Sequence, residues 1–157
     1  MRKFIAITVT LLFCIVLFVG CDDTSNLEES SITDINSLEG VTMIISEDAE
    51  SNTWHLLTIH NDSTKELDIP YAYAIERKVE NTWYQLPVKR WNDKPYNWTY
   101  GPYPLSPGET LEASINWSDV YGKLKPGEYR VVKSIYVMGE ILIESEGYYI
   151  AVEFSIE

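Results

Sequence analysis

From Gly40 onward, apolar and polar residues alternate in short runs, and this two-residue period is the feature that most constrains the fold. Successive side chains of a β-strand point to opposite faces, so alternation is typical of a strand with one buried face. Val41, Met43 and Ile45 are the apolar members of the first run. The last run carries one apolar face, made of Tyr148, Ile150, Val152, Phe154 and Ile156. The pattern favours β-structure in this part of the chain and no convincing helix.

Turn-forming sequences separate the runs. They lie at residues 61–64, 80–82, 106–109 and 125–128. The runs between them predict further strands at residues 54–60, about 67–79, 83–87, 111–115 and 129–136. Pro70 places the start of the third strand at a sheet edge or a bulge, because proline cannot donate a ladder hydrogen bond. About seven short strands joined by turns predict an all-β fold, a single β-sandwich.

Two segments carry a family resemblance. Residues 105–111 read Leu-Ser-Pro-Gly-Glu-Thr-Leu, and a Tyr-Gly-x-Leu-x-Pro-Gly-x-Tyr-Arg sequence begins at Tyr121. Together with Trp83 and Tyr84 after a predicted hairpin, they resemble the bacterial immunoglobulin-like domains of small Gram-positive lipoproteins. The resemblance implies an immunoglobulin-like β-sandwich over residues 39–157. Most such domains have no assigned activity, so the resemblance implies a fold more than a function.

The glycines and one tyrosine of these segments are predicted to form the turns between strands. Gly108, Gly122 and Gly127 are predicted at tight corners where φ is positive. Tyr129 follows the Pro-Gly turn by two residues and resembles a tyrosine corner, in which the hydroxyl bonds back to nearby backbone. The Cys…Trp…Cys pattern of antibody domains is absent. The kinship with antibody domains is therefore architectural only.

The first 21 residues predict export and a lipid anchor. Arg2 and Lys3 precede an apolar run at residues 4–19, which is the layout of a secretory signal peptide over residues 1–20. Residues 18–21, Phe-Val-Gly-Cys, resemble the bacterial lipobox, which implies cleavage before Cys21 and a diacylglyceryl group on its thiol. Cys14 is the competing candidate, but the bulky Phe13 precedes it. We therefore expect an anchor in the cell membrane, with the domain on the extracytoplasmic face.

The next segment is predicted to be a spacer. Residues 21–38 comprise the lipidated cysteine and a stretch rich in Ser, Asp, Glu, Asn and Thr. Such a composition is typical of a flexible, self-repelling tether. Seventeen residues of flexible chain reach roughly 20–25 Å root mean square, enough to lift a domain clear of lipid headgroups.

Charge and cysteine content exclude several classes of function. The chain has a net charge of −12, which becomes −14 when the signal peptide removes Arg2 and Lys3. Nucleic-acid binding depends on clustered Lys and Arg, so an excess of acid this large argues against it. With Cys14 in the signal and Cys21 lipidated, the mature domain has no disulfide, and its stability must come from a packed core.

Catalytic and metal-binding signals are weak. His55 and His60 are the only histidines, and their odd separation places them on opposite faces of one strand, where they cannot form a ligand pair. There is no nucleophile elbow, no zinc-protease motif, no phosphate loop and no calcium loop. We therefore predict a protein that is not an enzyme and that holds no metal and no cofactor.

Residues 90–104 form the one unusual segment. The candidate binding residues are five aromatics, Trp91, Tyr96, Trp98, Tyr100 and Tyr103, and two cations, Arg90 and Lys94. Long loops inside compact domains are usually functional or mobile. Two interpretations stay open: the loop seals one end of the sandwich with its own rings, or it forms a binding surface. In a mixed outcome, Trp98 is the expected exposed ring and Trp91 the structural one.

Two functions are compatible with these features. The first is a lipid-anchored immunoglobulin-like binding or scaffolding domain without catalytic activity, whose partner is an envelope protein or a glycan held by the loop. The alternative is a proteinase inhibitor that presents the same loop, since some bacterial inhibitors are similar sandwiches with one long rigid loop. A hydrolase is disfavoured by the absence of catalytic motifs.

Overall fold

The structure is a computed structural model that describes residues 24–46, 54–91, 94–98, 101–139 and 147–157. The predicted signal peptide at residues 1–20, Cys21 and Tyr100 lie outside the described residues, as does the side chain of Trp91. Within these ranges the strands are β1 (Glu28–Glu29), β2 (Val41–Ile45), β3 (Trp54–Asn61), β4 (Leu67–Ile69), β5 (Ala74–Val79), β6 (Thr82–Gln85), β7 (Arg90–Trp91), β8 (Lys94–Pro95), β9 (Tyr103–Leu105), β10 (Thr110–Asn116), β11 (Gly127–Val137) and β12 (Tyr148–Ile156). A single short helix, α1 (Trp117–Val120), accompanies them in the described part.

Two antiparallel sheets enclose the core. The strands of the large sheet follow the order β1-β6-β5-β11-β4-β9, and β12 also pairs with β11. β12 pairs with one edge of β11. The other edge of β11 pairs with β5 in its first half and with β4 at its end. The small sheet has the order β10-β3-β2, and β7 and β8 form a separate hairpin. The predicted all-β immunoglobulin-like sandwich is confirmed.

Apolar side chains from both sheets fill the interior. The small sheet contributes Leu57 and Ile59, and β11 contributes Val131 and Ile135, all fully buried. Trp117 of α1 is also fully buried and closes one part of the core. No helix among the described residues is long and apolar enough to cross a bilayer.

The two histidines lie on opposite faces of β3, as predicted. The ring of His55 is buried and stacks on Trp117, with 3.8 Å between ring centroids. His60 is on the outer face, where its Nδ1 lies 2.9 Å from the hydroxyl of Thr110. Across the described residues, no cluster of His, Cys, Asp and Glu side chains could hold a metal ion.

The predicted strand at residues 67–79 is interrupted in its middle. β4 and β5 follow the same edge of β11, but residues 70–73 leave the ladder between them. Pro70 begins this break, where its missing N–H costs no ladder bond. The break places Tyr71 and Tyr73 outside the regular ladder, near the loop at residues 90–104.

The predicted corners are present. The hydroxyl of Tyr129 donates to the carbonyl of Lys125 at 2.7 Å, which confirms the tyrosine corner. Gly108, Gly122 and Gly127 have φ values of 79°, 91° and 152°, conformations that a side chain would strain.

The prediction of a flexible tether at residues 21–38 is wrong for its described part. Residues 28–38, the N-terminal strap, lie against the large sheet. β1 pairs with β6 at one edge, and the backbone N–H of Ser30 extends that pairing by donating to Trp83 at 2.9 Å. Farther along, Asn36 exchanges side-chain hydrogen bonds with the backbone of Ala151 on β12. Leu38 then enters the core.

Beneath the N-terminal strap lies a buried ion pair to which the strap is hydrogen-bonded. The Arg130 guanidinium donates to the Glu76 carboxylate from both Nε and Nη2, each at 2.6 Å. The other oxygen of Glu76 accepts from the Ser30 hydroxyl at 2.6 Å. The carbonyl of Ile32 accepts from Arg130 at 3.4 Å. The composition predicted a flexible, self-repelling segment, but these hydrogen bonds hold it against the sheet.

Candidate functional site

Aromatic rings gather where the break at residues 70–73 meets the loop at residues 90–104. Trp98 packs edge-on against Tyr73 at 5.0 Å and contacts Tyr96 at 4.9 Å between ring centroids. It also lies 6.2 Å from the ring of Tyr71. We call these four residues the aromatic cluster. The aromatic cluster is compatible with the loop as a seal and with the loop as a binding surface, because it packs on the core and also lines the hollow described next.

Two neighbouring hollows form the cleft. The outer hollow has a volume of about 490 Å³ and is lined by Lys89, Arg90, Tyr96 and Asp119. The inner hollow is smaller, about 100 Å³, and its walls include three members of the aromatic cluster besides Tyr96. Tyr96 and Asp119 line both hollows, so the two adjoin at these side chains.

Helix α1 places the carboxylate of the cleft. Asn116 is its N-cap, and its side-chain oxygen accepts from the backbone N–H of Ser118 at 3.0 Å. The side-chain amide of Asn116 also donates to the carboxylate of Asp119 at 3.0 Å. Because one residue caps the helix and holds the acid, the orientation of Asp119 depends on β10 and α1 together.

Lys89 is tied to the same helix. Its backbone N–H donates to the carbonyl of Val120 at 2.7 Å, and its ammonium donates to the carbonyl of Ser118 at 2.5 Å. A Cβ atom at Gly122 would stand 3.0 Å from Cε of Lys89, so glycine leaves the space that this side chain uses. The cation is therefore held beside Asp119 at the mouth of the cleft.

Two phenols lie at or near the inner hollow: Tyr73 is buried and lines it, and Tyr121 is partly buried with its ring 6.0 Å from that of Tyr73. The hydroxyl of Tyr121 donates to the backbone carbonyl of Tyr73 at 2.8 Å, and burial raises the pKa of Tyr121 to about 12. The hydroxyl of Tyr73 is buried and has no hydrogen-bond partner among the described residues. Burial raises the pKa of Tyr73 strongly, and the neighbouring Tyr121, Tyr96, Tyr71 and Asp119 raise it further.

A buried lysine supports the break that carries these rings. The ammonium of Lys133 on β11 donates to the carbonyls of Pro70, Tyr71 and Ala72 at 2.7, 3.3 and 3.1 Å. These carbonyls have left the ladder, and a buried carbonyl without a donor is costly. Lys133 therefore holds the backbone from which Tyr71 and Tyr73 project.

The predicted site residues divide into four groups. Arg90, Lys94 and Tyr96 are exposed beside or within the outer hollow. Tyr103 is also exposed, but it lies on β9 next to Tyr71 and lines neither hollow. The expectation that Trp98 is an exposed loop tip is wrong, because its ring is partly buried against the core. Neither Tyr100 nor the Trp91 side chain is among the described groups.

Further residues of the cleft lie outside the loop that the sequence singled out. They include Trp54, Tyr71, Tyr73, Asn116 and Asp119. Trp54 begins β3, where the sequence pattern does not say which face is buried, and in the structure it is 59% exposed. The Tyr-x-Tyr pair directly after Pro70 was the available signal for an aromatic wall at the break.

The fold and the cleft can be set beside known proteins. A profile of the bacterial Ig-like domain matches residues 37–155, from just before β2 almost to the end of β12. Domains of this kind generally bind or scaffold other molecules and are generally not catalytic. A search of curated proteins found no match. Since the profile spans most of the chain and both sheets, the chain belongs to the bacterial Ig-like domain family.

Proposed function

We propose that the chain is a lipid-anchored binding domain on the extracytoplasmic face of a bacterial membrane, without catalytic activity, and that it recognises a component of the cell envelope at the cleft. The observation that carries the proposal is the cleft itself. It combines the exposed ring of Tyr96 with the cations Lys89 and Arg90, in a chain whose net charge is −12. Pockets lined by aromatic rings with a few convergent polar groups are the usual form of a binding site.

The position of the cleft in the fold supports this proposal. Its described walls come largely from connecting segments, namely the loop at residues 90–104, the break at residues 70–73 and helix α1, and strands β3 and β10 complete the inner hollow. Loops held on a rigid sheet scaffold commonly carry binding residues. Hydrogen bonds from Lys89 to α1 and from Lys133 to the break hold two of these connections in place. The recognition surface is thus largely preformed.

Capture of envelope material by the purified domain tests the cleft. Tyr96→Ala removes a ring that lines both hollows, and we expect it to weaken binding to isolated cell-wall and membrane fractions at least tenfold. Tyr103→Ala is the matched control, since the two side chains are equally exposed at 39% and Tyr103 lines neither hollow. Thermal melts should show both variants folded. Equal capture by both variants would contradict recognition at the cleft.

The anchor has its own test in cells. Cys21→Ala removes the thiol that would carry the diacylglyceryl group, so we expect no labelling by radioactive palmitate and retention of the uncleaved precursor. Cys14→Ala is the matched control, since it should leave labelling and processing unchanged. If the label persists in the Cys21 variant and disappears from the Cys14 variant, the lipid is attached at Cys14 and the proposed anchor is wrong.

The proteinase inhibitor remains the alternative. An inhibitory loop must project a rigid, extended segment to a protease. In its described part, the loop at residues 90–104 instead folds back through Trp98 onto the core. No contact in that part favours the inhibitor over the binding domain, and titration against extracellular serine proteases would decide it.

A further inference from the structure

We propose that the ligand of the cleft is a saccharide that carries an anionic substituent, either a carboxylate or a phosphate. This inference rests on the proposed function, because it names the ligand class of the same site. Three features carry it: the charged groups that line the outer hollow, the hydrogen-bonding groups along the walls of the cleft, and the buried hydroxyl of Tyr73, a residue that lines the inner hollow.

Among the described residues that line the outer hollow, the cations Lys89 and Arg90 outnumber one carboxylate, Asp119. Lys94 is exposed on the adjoining strand β8. The chain as a whole is strongly acidic, with 24 acidic residues against 12 basic ones. An anion is therefore attracted more strongly at this mouth than over most of the remaining surface.

The remaining groups of the cleft suit a sugar rather than an acidic peptide. The exposed ring of Tyr96 offers a flat apolar surface, on which the C–H face of a pyranose can lie. Asp119 and Asn116 stand beside it, and together they supply the closely spaced acceptors and donors that adjacent sugar hydroxyls require. Ser114 adds a further hydroxyl to the inner hollow.

The hydroxyl of Tyr73 provides an independent indication of a ligand. The side chain is 7% exposed and lines the inner hollow, and its hydroxyl has no hydrogen-bond partner among the described residues. A buried polar group without a partner is rare and costs about 1–3 kcal/mol, so it calls for an explanation. A ligand hydroxyl that enters the hollow would satisfy it.

The dimensions of the two hollows match such a ligand. The outer hollow, about 490 Å³, accommodates a sugar ring and its anionic substituent. The inner hollow, about 100 Å³, has room for a small polar group such as a hydroxymethyl. Trp98 lies edge-on to Tyr73 at 5.0 Å between ring centroids and lines the same hollow, so a group bound there would contact both rings.

Calorimetric titration of the purified domain tests the ligand class. The probes are a uronic acid oligosaccharide, a sugar phosphate and a neutral oligosaccharide of the same length. We expect at least one anionic probe to bind at least tenfold more tightly than the neutral probe, with an affinity that falls as salt rises. The two anionic probes distinguish the carboxylate from the phosphate.

Two variants connect the binding to the proposed groups. Tyr73→Phe removes only the unpartnered hydroxyl, so folding stability should be unchanged or slightly higher while affinity for the anionic probe falls about tenfold. Arg90→Gln should lower affinity for the anionic probe and leave the neutral probe unaffected. Tyr103→Phe is the matched control and should change neither stability nor affinity.

The outcomes separate this inference from the function on which it rests. Binding of an anionic probe that Tyr73→Phe weakens supports the inference. Equal binding of neutral and anionic probes, an unaffected Tyr73→Phe variant, or no binding of any probe at about 10 mM overturns it. If envelope capture still depends on Tyr96 in that case, the proposed function stands and the ligand is of another class. If capture does not depend on Tyr96, both fail.

Discussion

Lys133 is a cationic side chain on the core-facing side of β11, in line with Val131 and Ile135. It is 3% exposed, and burial lowers its pKa from the ordinary value of 10.5 to about 8. Three backbone carbonyls of the break accept from its ammonium, so the charge is hydrogen-bonded even though it is removed from water. At neutral pH the protein therefore keeps a desolvated cation, because the ammonium donates hydrogen bonds to three backbone carbonyls that are not paired in the sheet.

This lysine makes stability depend on alkaline pH. Between pH 8 and about 10 the unfolded chain binds a proton at Lys133 that the folded chain has released, so the free energy of unfolding rises with pH. The gain approaches about 3 kcal/mol for the full shift. Above pH 10 the sign reverses, because the pKa of Tyr121 is raised to about 12 and the unfolded phenol ionises first. We expect maximal stability near pH 10, measured by urea unfolding across this range.

Two substitutions isolate the effect of the buried lysine. Lys133→Met should remove the rise between pH 8 and 10, because no titrating group remains at that position. Lys123→Met, which changes an exposed lysine, should keep the profile of the native chain. If the two variants show the same slope, the ammonium of Lys133 is not the group that titrates.

Among the structural elements, the N-terminal strap departs most from what its amino-acid composition predicts, since it is docked on the sheet rather than free. It crosses from the edge at β6 to β12, and it covers the ion pair of Glu76 and Arg130. Glu76 is fully buried, and Arg130 also lies over the ring of Trp83 at 4.5 Å. The strap completes the hydrogen bonding of this pair through the Ser30 hydroxyl and the Ile32 carbonyl, so undocking the strap would leave a buried carboxylate without one of its donors.

A single hydroxyl in the N-terminal strap tests this dependence. Ser30→Ala removes the donor to Glu76 and should lower the free energy of unfolding by about 1–3 kcal/mol, since hydrogen bonds to buried charges are among the stronger ones. Ser31→Ala is the control on the neighbouring exposed residue, and its effect should stay within about 0.5 kcal/mol. Denaturant melts measure both. Equal stability of the two variants would mean that the segment behaves as a free tether after all.

The break between β4 and β5 shows how an irregular element produces a site. A continuous strand over residues 67–79 would have alternated its side chains between core and solvent and kept its carbonyls in the ladder. The interruption at Pro70 frees the segment that carries Tyr71 and Tyr73, and Trp98 of the loop packs against both. The cleft therefore depends on two departures from regular structure that meet in space.

For the whole molecule, alternation and turn chemistry predicted most of the architecture. The strands at β2, β3, β10, β11 and β12 follow from period-two patterns long enough to specify one buried face. The tyrosine corner and its glycines follow from local geometry, which depends on a few neighbouring residues. Predictions of this kind succeed because the information lies within one segment of chain.

The incorrect expectations concern contacts between segments that are distant in sequence. The N-terminal strap reads as a tether because its composition is polar, and only the distant Glu76 and Arg130 give it a binding surface. Trp98 reads as a loop tip because its neighbours are polar, and its packing depends on rings 25 or more positions away. A local pattern carries no signal for either contact, so the sequence alone predicted where the aromatic segment lies but not which rings face solvent.

The docked strap also determines how far an anchored molecule can search. A free coil of seventeen residues would let the domain wander roughly 20–25 Å from its lipid. With the chain held at β1, seven residue steps separate Glu28 from Cys21, and a flexible chain of that length spans roughly 13–16 Å root mean square. A reach shorter by about a third cuts the volume that the cleft can sweep to about a quarter, and it raises the effective concentration of any partner held in that layer. With Cys21 lipidated as proposed, the docked strap would therefore keep the cleft closer to the bilayer than a free tether would.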